Sequence, residues 1–166
     1  TKQSNTFLDI SYDDFDTLKI PKELLETNFY LLKTPLPEKE FIKIDEKKPT
    51  YIYNFYNLDP LWDQEICANR ILLLEPSHFN EYPISLNSMN FMLEFSKNNI
   101  DNIQLYVGEF NDFILDHAPS EVNYKEHPLN SHYSGIKVPR DFIFDVKGYY
   151  PSFFSYWKKC KKELIY

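Results

Sequence analysis

The sequence has few glycines, few cysteines and no long apolar segment, and each shortage excludes a class of protein. Its three glycines, at positions 108, 135 and 148, cannot form the phosphate-binding motifs GxGxxG or GxxxxGK[ST]. Its two cysteines, Cys67 and Cys160, provide neither a disulfide framework nor zinc-ligand spacing, which is typical of a reducing, cytoplasmic compartment. No apolar run approaches the roughly 20 residues that span a bilayer, so we expect no membrane partner.

The chain also lacks an excess of positive charge. The 166 residues carry a formal net charge of −7, which argues against strong nucleic-acid binding by the chain as a whole. A hydrophobic content of 43% is enough to build the core of one domain. The first four residues do not resemble a signal peptide, and no initiator methionine precedes them. We therefore expect the chain to be part of a longer protein.

Residues 1–49 are expected to form an interdomain linker or arm with short helical turns. This stretch contains four prolines and no glycine. Residues 11–15 and 21–26 predict the turns, because Ser11 and Pro21 are favoured residue types at helix starts. The apolar residues of the arm fit two alternatives, contact with a neighbouring domain or packing against their own domain.

Four consecutive apolar residues, Ile71–Leu74, predict the central strand of the domain. A strand with one face in water would alternate apolar and polar residues, whereas this run does not. Pro76 follows too soon for a helix of ordinary length. A strand buried on both faces implies helices above and below a parallel sheet.

Strands and helices alternate from Thr50 onward. The fold class predicted is α/β: a Rossmann-like, five-stranded, mostly parallel sheet with helices on both faces, plus an extended N-terminal arm. The predicted strands are residues 51–56, 70–74, 103–107, 121–125 and 142–146. The predicted helices are residues 60–68, 85–98, 109–115 and 153–164, with loops at 78–83 and 126–140.

Polar residues follow the predicted strands, and the carboxyl ends of parallel strands meet at the edge where open α/β sheets bind ligands. The residues expected there are Tyr56, Asn57, Asp59, Glu75, Ser77, His78, Gly108, Glu109, Glu126 and His127. They form either a pocket for an aromatic chromophore or a nucleotide, or a set of helix caps and loop hydrogen bonds.

Two further interpretations of these residues fail on spacing. His78, His127 and His132 lack the helical spacing that fixes metal ligands, even with Glu126 included. Ser77 and His78 are adjacent and lie in no GxSxG motif, which disfavours a serine hydrolase. We therefore predict no catalytic residue and no metal ligand.

The C-terminal residues predict an amphipathic helix. Phe153, Phe154 and Trp157 share one face with Cys160 and Leu164, and the lysines at 158–162 take the other face and the C-terminal turns. We expect the three rings to belong to the core.

Several segments together resemble the DNA photolyase/cryptochrome family. They are similar to a subgroup of these flavoproteins in which a helical FAD-binding domain precedes the α/β domain. The matching segments are Asn57–Trp62, Leu72–Phe79, Lys125–Leu129 and Gly148–Phe154. The resemblance implies that residues 50–166 are the α/β domain of such a protein.

The resemblance also implies a function for the parent protein, either light-dependent DNA repair as a deoxyribodipyrimidine photo-lyase or blue-light signalling. In that case FAD sits in the helical domain on which this domain packs, DNA binds through the parent, and this part is not catalytic alone. It also allows an antenna pigment in the α/β domain. Two alternatives remain, a stand-alone Rossmann-like nucleotide-binding enzyme and a scaffold or interaction domain without a small ligand.

Overall fold

A computed structural model describes residue 13 and residues 20–25, 31–140 and 142–164. The chain divides into two compact units, Thr1–Leu32 and Lys33–Tyr166. In the first unit, Lys22–Leu25 forms the helix α1, which agrees with the helical turn expected at 21–26. The turn predicted at 11–15 lies outside the described residues, except for Asp13.

The second unit contains a five-stranded sheet in which every pair is parallel. The strands are β1 (Thr50–Tyr53), β2 (Asn69–Leu74), β3 (Ile103–Val107), β4 (Val122–Lys125) and β5 (Ile136–Val138). Their order across the sheet is β3-β2-β1-β4-β5. The predicted Rossmann-like fold class is confirmed, and the apolar run Ile71–Leu74 lies between two neighbouring strands.

Helices cover both faces of this sheet, as predicted. Along β2, Ile71 and Leu73 join one apolar cluster, which also holds Phe110 and Phe113 of the helix α4 (Phe110–His117). Leu72 and Leu74 point the other way, into a second cluster that includes Phe79 of the helix α2 (Pro76–Glu81) and Met89 and Met92 of the helix α3 (Leu86–Asn99). All six residues of β2 are buried, so buried and exposed positions do not alternate along this strand.

The helices of this unit are α2 (Pro76–Glu81), α3 (Leu86–Asn99), α4 (Phe110–His117) and α5 (Phe153–Cys160), with a 3₁₀ turn at Pro128–Asn130. Ser85 caps α3 by accepting a hydrogen bond from the Ser88 amide. The helix α2 replaces most of the loop expected at 78–83. Pro76 therefore starts a helix directly after β2, because its fixed φ suits a first helical position.

Two other predicted elements are wrong. Residues 60–68 form turns instead of a helix, and the Arg70 side chain holds them by donating to the carbonyls of Asp63, Gln64 and Ile66. These bonds satisfy carbonyl groups that a helix would otherwise pair internally.

Residues 142–146 are not a strand, and the edge strand is Ile136–Val138 instead. Gly135 lies just before it with φ +128°, where an added Cβ would stand 2.4 Å from the carbonyl oxygen of Val122. This close approach needs glycine, and it lets β5 pair with β4 before Pro139 ends the strand.

Residues 33–49 contain no helix or strand but belong to the same compact unit as the sheet. Ile42 is buried in the core beside Ile52. The Lys43 backbone exchanges two hydrogen bonds with the Gln104 side chain. Asn69 joins the arm to the sheet, because its amide contacts both the amide and the carbonyl of Asp45. This part of the arm packs against its own domain.

The expected aromatic core at the C terminus is wrong for two of its rings. Phe153 is 67% exposed and Phe154 is 79% exposed, while Trp157 is half-buried. The only fully buried side chain of α5 is Cys160. Trp157 contacts the ring of Phe144, whereas Phe153 and Phe154 remain largely open to solvent.

Candidate functional site

The strand order places a change of direction at the centre of the sheet. From β1 the chain moves outward through β2 and β3, and it then returns to the other side of β1 as β4. In open α/β sheets, ligands bind at such a point, outside the carboxyl ends of the strands. The segments that follow β1, β2, β3 and β4 contain the ten residues predicted from the sequence.

An aromatic cluster lies between the ends of β1 and β4. The rings of Tyr56 and His127 stack with centroids 3.9 Å apart and planes within 7°. The Tyr56 hydroxyl lies 3.1 Å from Nε2 of His78, which follows β2. The Asn54 side chain shapes this loop, because its carbonyl oxygen accepts from the amides of Tyr56 and Asn57. The structure therefore brings three predicted residues from three segments into contact.

Glu75 is the buried acidic residue of the site, with 6% of its surface exposed. Its carboxylate accepts hydrogen bonds from the Phe110 amide at 3.0 Å and from the Tyr133 hydroxyl at 3.0 Å. His132 Nε2 lies 2.9 Å from the same carboxylate. Burial, and then the charge of Glu75, raises the pKa of Tyr133 well above its ordinary value, so Tyr133 keeps the proton that it donates.

Ser77 and Glu109 form a second polar pair. One oxygen of the Glu109 carboxylate accepts from the Ser77 amide at 2.9 Å, and the other accepts from the Ser77 hydroxyl at 2.6 Å. Glu109 thus satisfies a free amide in the first turn of α2. Gly108 precedes it, and a Cβ there would stand 2.8 Å from the Tyr106 ring, which would have to shift to admit a larger residue.

A cleft of about 380 Å³ opens beside these groups. It is lined by Glu75, Ser77, His78, Glu81, Tyr82, Glu109, Pro128, Leu129, Ser131 and His132. Four of the ten predicted residues line it. Its three carboxylates repel phosphate groups, whereas its histidine, serine and tyrosine side chains can form hydrogen bonds with an uncharged or cationic ligand.

Three predicted residues support loops instead of lining this cleft. The Asp59 carboxylate lies 3.9 Å from the Lys125 ammonium and accepts from the Leu61 amide. The Asn57 side chain accepts from the Asp59 amide at 3.4 Å. Glu126 pairs through its backbone amide with the carbonyl of Val138. Hydrogen bonding within loops, the second of the two alternatives, therefore describes these residues.

Two histidines of the site favour the neutral form. Burial is the main effect that lowers the pKa of His78. Burial, followed by the positive charge of Arg140, lowers the pKa of His127. Neutral imidazoles can both donate and accept a hydrogen bond, which suits recognition of a polar heterocycle.

The side-chain contacts do not match a hydrolase or a metal centre. The Ser77 hydroxyl donates to Glu109, and His78 Nε2 contacts Tyr56, so the two residues do not act on one another. Within residues 20–25, 31–140 and 142–164, and at residue 13, no three histidine, cysteine or acidic residues form a group that could hold a metal ion. In the same described part, no helix is long and apolar enough to cross a membrane.

The residues predicted for the site did not include Asn54, His132 and Tyr133, and His132 had been considered only as a metal ligand. Asn54 is the residue directly after β1, a position that the predicted strand 51–56 had counted as strand interior. His132 and Tyr133 lie in the long loop before β5, and they reach Glu75 across more than 55 residues of sequence. Only their residue types, a histidine and a tyrosine in a polar loop, signalled a role.

The fold and the site together define a Rossmann-like α/β domain with a polar cleft at the carboxyl edge of its sheet. In comparisons with known proteins, no protein family, curated protein or solved structure matches the chain.

Proposed function

We propose that this chain is the α/β domain of a photolyase/cryptochrome-like flavoprotein. In this proposal a separate helical domain of the parent protein carries FAD and performs light-dependent DNA repair or blue-light signalling. The α/β domain packs on that helical domain, and DNA binds through the parent. We place the protein in the cytoplasm, since both cysteines are free thiols.

One observation carries the proposal. Three of the segments that resemble the family are distant in sequence, yet they meet at one edge of the sheet. Asn57–Trp62 follows β1, Leu72–Phe79 spans the end of β2 and most of α2, and Lys125–Leu129 begins at the last residue of β4. Two of these segments contribute His78 and His127, which both contact Tyr56, the residue just before the third segment. Parallel topology brings these strand ends together in any such sheet, and the support for the proposal is that the family-like segments lie at this ligand-binding edge.

The cleft suggests what this domain contributes. We propose that it holds an antenna pigment, a flat heteroaromatic molecule that transfers excitation to the flavin. Tyr82 and His78 provide neighbouring rings with centroids 5.3 Å apart. The glutamates of the cleft disfavour a pigment with phosphate groups. The domain then needs no catalytic residue of its own, because the flavin carries the chemistry.

The test compares this chain alone with the full-length parent. The chain alone should purify without bound flavin and should not repair cyclobutane dimers under light. The parent should show flavin absorbance. Flavin bound tightly by this chain, or dimer repair by it alone, would refute the proposal. A parent that lacks a helical flavin-binding domain would refute it too.

The pigment requires its own experiment. Ser131→Trp should fill the cleft and abolish pigment absorbance in the parent while flavin absorbance stays. Asn87→Trp, on the exposed surface of α3, is the matched control and should leave both unchanged. Loss of flavin together with the pigment would contradict the separation of the two sites.

A stand-alone nucleotide-binding enzyme is the second candidate, because the change of strand direction at β1 is the usual nucleotide site of such sheets. It predicts a rise in melting temperature with nucleotides. The three glutamates of the cleft and the lack of a glycine-rich loop count against it. A nucleotide-dependent rise that Ser131→Trp removes would favour this candidate over the first.

A further inference from the structure

The C-terminal segment carries a contiguous set of partly exposed rings. Trp157 contacts Phe144 at 6.0 Å and Phe153 at 6.2 Å between ring centroids, and the rings of Phe153 and Trp157 are within 10° of parallel. Phe153 also contacts Phe154 at 5.7 Å. Phe154 is the most exposed of these rings, at 79%. Exposed rings in contact with one another usually mark a binding surface.

Positive charge accompanies these rings. Residues 137–164 contain seven lysine or arginine residues and three acidic residues, although the whole chain has a net charge of −7. Lys158 and Lys161 follow Phe154 by four and seven residues, so these two lysines share the side of Phe154, which corrects the expectation that all the lysines take the opposite face. We call Phe144, Phe153, Phe154, Trp157, Lys158 and Lys161 the aromatic–lysine surface.

We propose that the aromatic–lysine surface binds single-stranded nucleic acid. Exposed rings provide planes on which bases stack, and ammonium groups pair with the phosphates between the bases. This inference does not depend on the proposed function, because it uses only the C-terminal segment and assigns no role to flavin or pigment. The acidic remainder of the chain confines the contact to this surface and keeps the affinity modest.

The arrangement favours a nucleic acid over a lipid surface. Helices that lie in a membrane interface separate their lysines from their apolar face. Here the most exposed ring, Phe154, has Lys158 and Lys161 beside it, so burying the ring in lipid would draw two ammonium groups toward the hydrocarbon. On a nucleic acid, the rings can stack on bases while the lysines beside them pair with the neighbouring phosphates.

The experiment measures fluorescence anisotropy of a labelled thymidine dodecamer with the complete chain in low salt. We expect a Kd in the range typical of non-specific binding, about 1–100 μM. Quenching of Trp157 fluorescence is the second readout, since the other tryptophan, Trp62, is only 5% exposed. Phe154→Ala should weaken binding about 5- to 150-fold, the range for one lost stacking contact.

Matched controls separate stacking from charge. Phe91→Ala removes a ring that is 69% exposed on α3, and it should leave the affinity unchanged. Lys158→Gln should reduce the slope of log K against log salt by about 0.7, the value for one phosphate contact on a single strand. Lys97→Gln, near the end of α3, should not alter the slope.

Several results would overturn the proposal. Equal affinity for an abasic dodecamer would show that the rings do not stack on bases. Binding to anionic phospholipid vesicles but not to the oligonucleotide would identify a lipid surface instead. Absence of oligonucleotide binding below about 100 μM in low salt would reject the interaction itself.

Discussion

Replacement of Glu75 by alanine should be among the most destabilising changes in this domain. The substitution strands two buried donors, the Phe110 amide and the Tyr133 hydroxyl. Each buried donor without a partner costs about 1–3 kcal/mol. His132 is about half exposed and can turn to water, so it adds little. The expected loss is about 2–6 kcal/mol of the free energy of unfolding, measured by urea denaturation.

Two further variants sharpen this prediction. Glu75→Gln keeps one acceptor oxygen and the side-chain volume, so it should cost only about 1–2 kcal/mol. Glu81→Ala, on the exposed rim of the same cleft, should change stability by less than about 0.5 kcal/mol. If Glu75→Ala unfolds at the same urea concentration as Glu81→Ala, the buried carboxylate does not hold β2, α4 and the loop before β5 together.

Three more predictions follow from the structure. Trp157→Ala should cost about 1–2 kcal/mol instead of the 3–5 kcal/mol of a fully buried ring, and a larger fall in melting temperature would contradict its half-buried position. Gly135→Ala should cost at least about 2 kcal/mol in urea denaturation, because its Cβ would meet the Val122 carbonyl at a φ of +128°; an unchanged midpoint would refute this contact. The lowered pKa values of His78 and His127 mean that the unfolded chain binds more protons below about pH 6.5. Stability should therefore fall as pH decreases through that range. In the double variant H78N/H127N, the melting temperature should change less with pH than it does in the unsubstituted chain.

The sequence correctly predicted the strands whose own residues form a recognisable local pattern. The continuous apolar run identified β2, and the β-forming residues Ile103–Val107 followed by Gly108 identified β3. The Pro60 segment misled the prediction, because Asp59-Pro60 is also a common turn sequence. What excludes a helix there is the Arg70 guanidinium, which holds three carbonyls of the turn through tertiary contacts.

The site was predictable only to the extent that topology determines it. Parallel strands bring their carboxyl ends together, and this rule alone identified Glu75, His78 and His127. It could not assign partners, because contacts such as Tyr133 with Glu75 join loops that are far apart in sequence. The edge strand β5 was misplaced for a related reason. A strand of three residues carries almost no periodic signal, and its partner β4 determines its position.

The central position of β1 has a consequence for the order of events during synthesis. Its first partner, β2, leaves the ribosome soon after β1. Its other partner, β4, begins about 70 residues after the start of β1. Until then, the backbone amides and carbonyls along one side of Thr50–Tyr53 have no neighbouring strand, and this stretch is apolar and rich in β-forming residues. The nascent chain is therefore most vulnerable to aggregation while the second half of the sheet is still being translated. Slower translation after β3 should lower the yield of folded protein more than slower translation after β4.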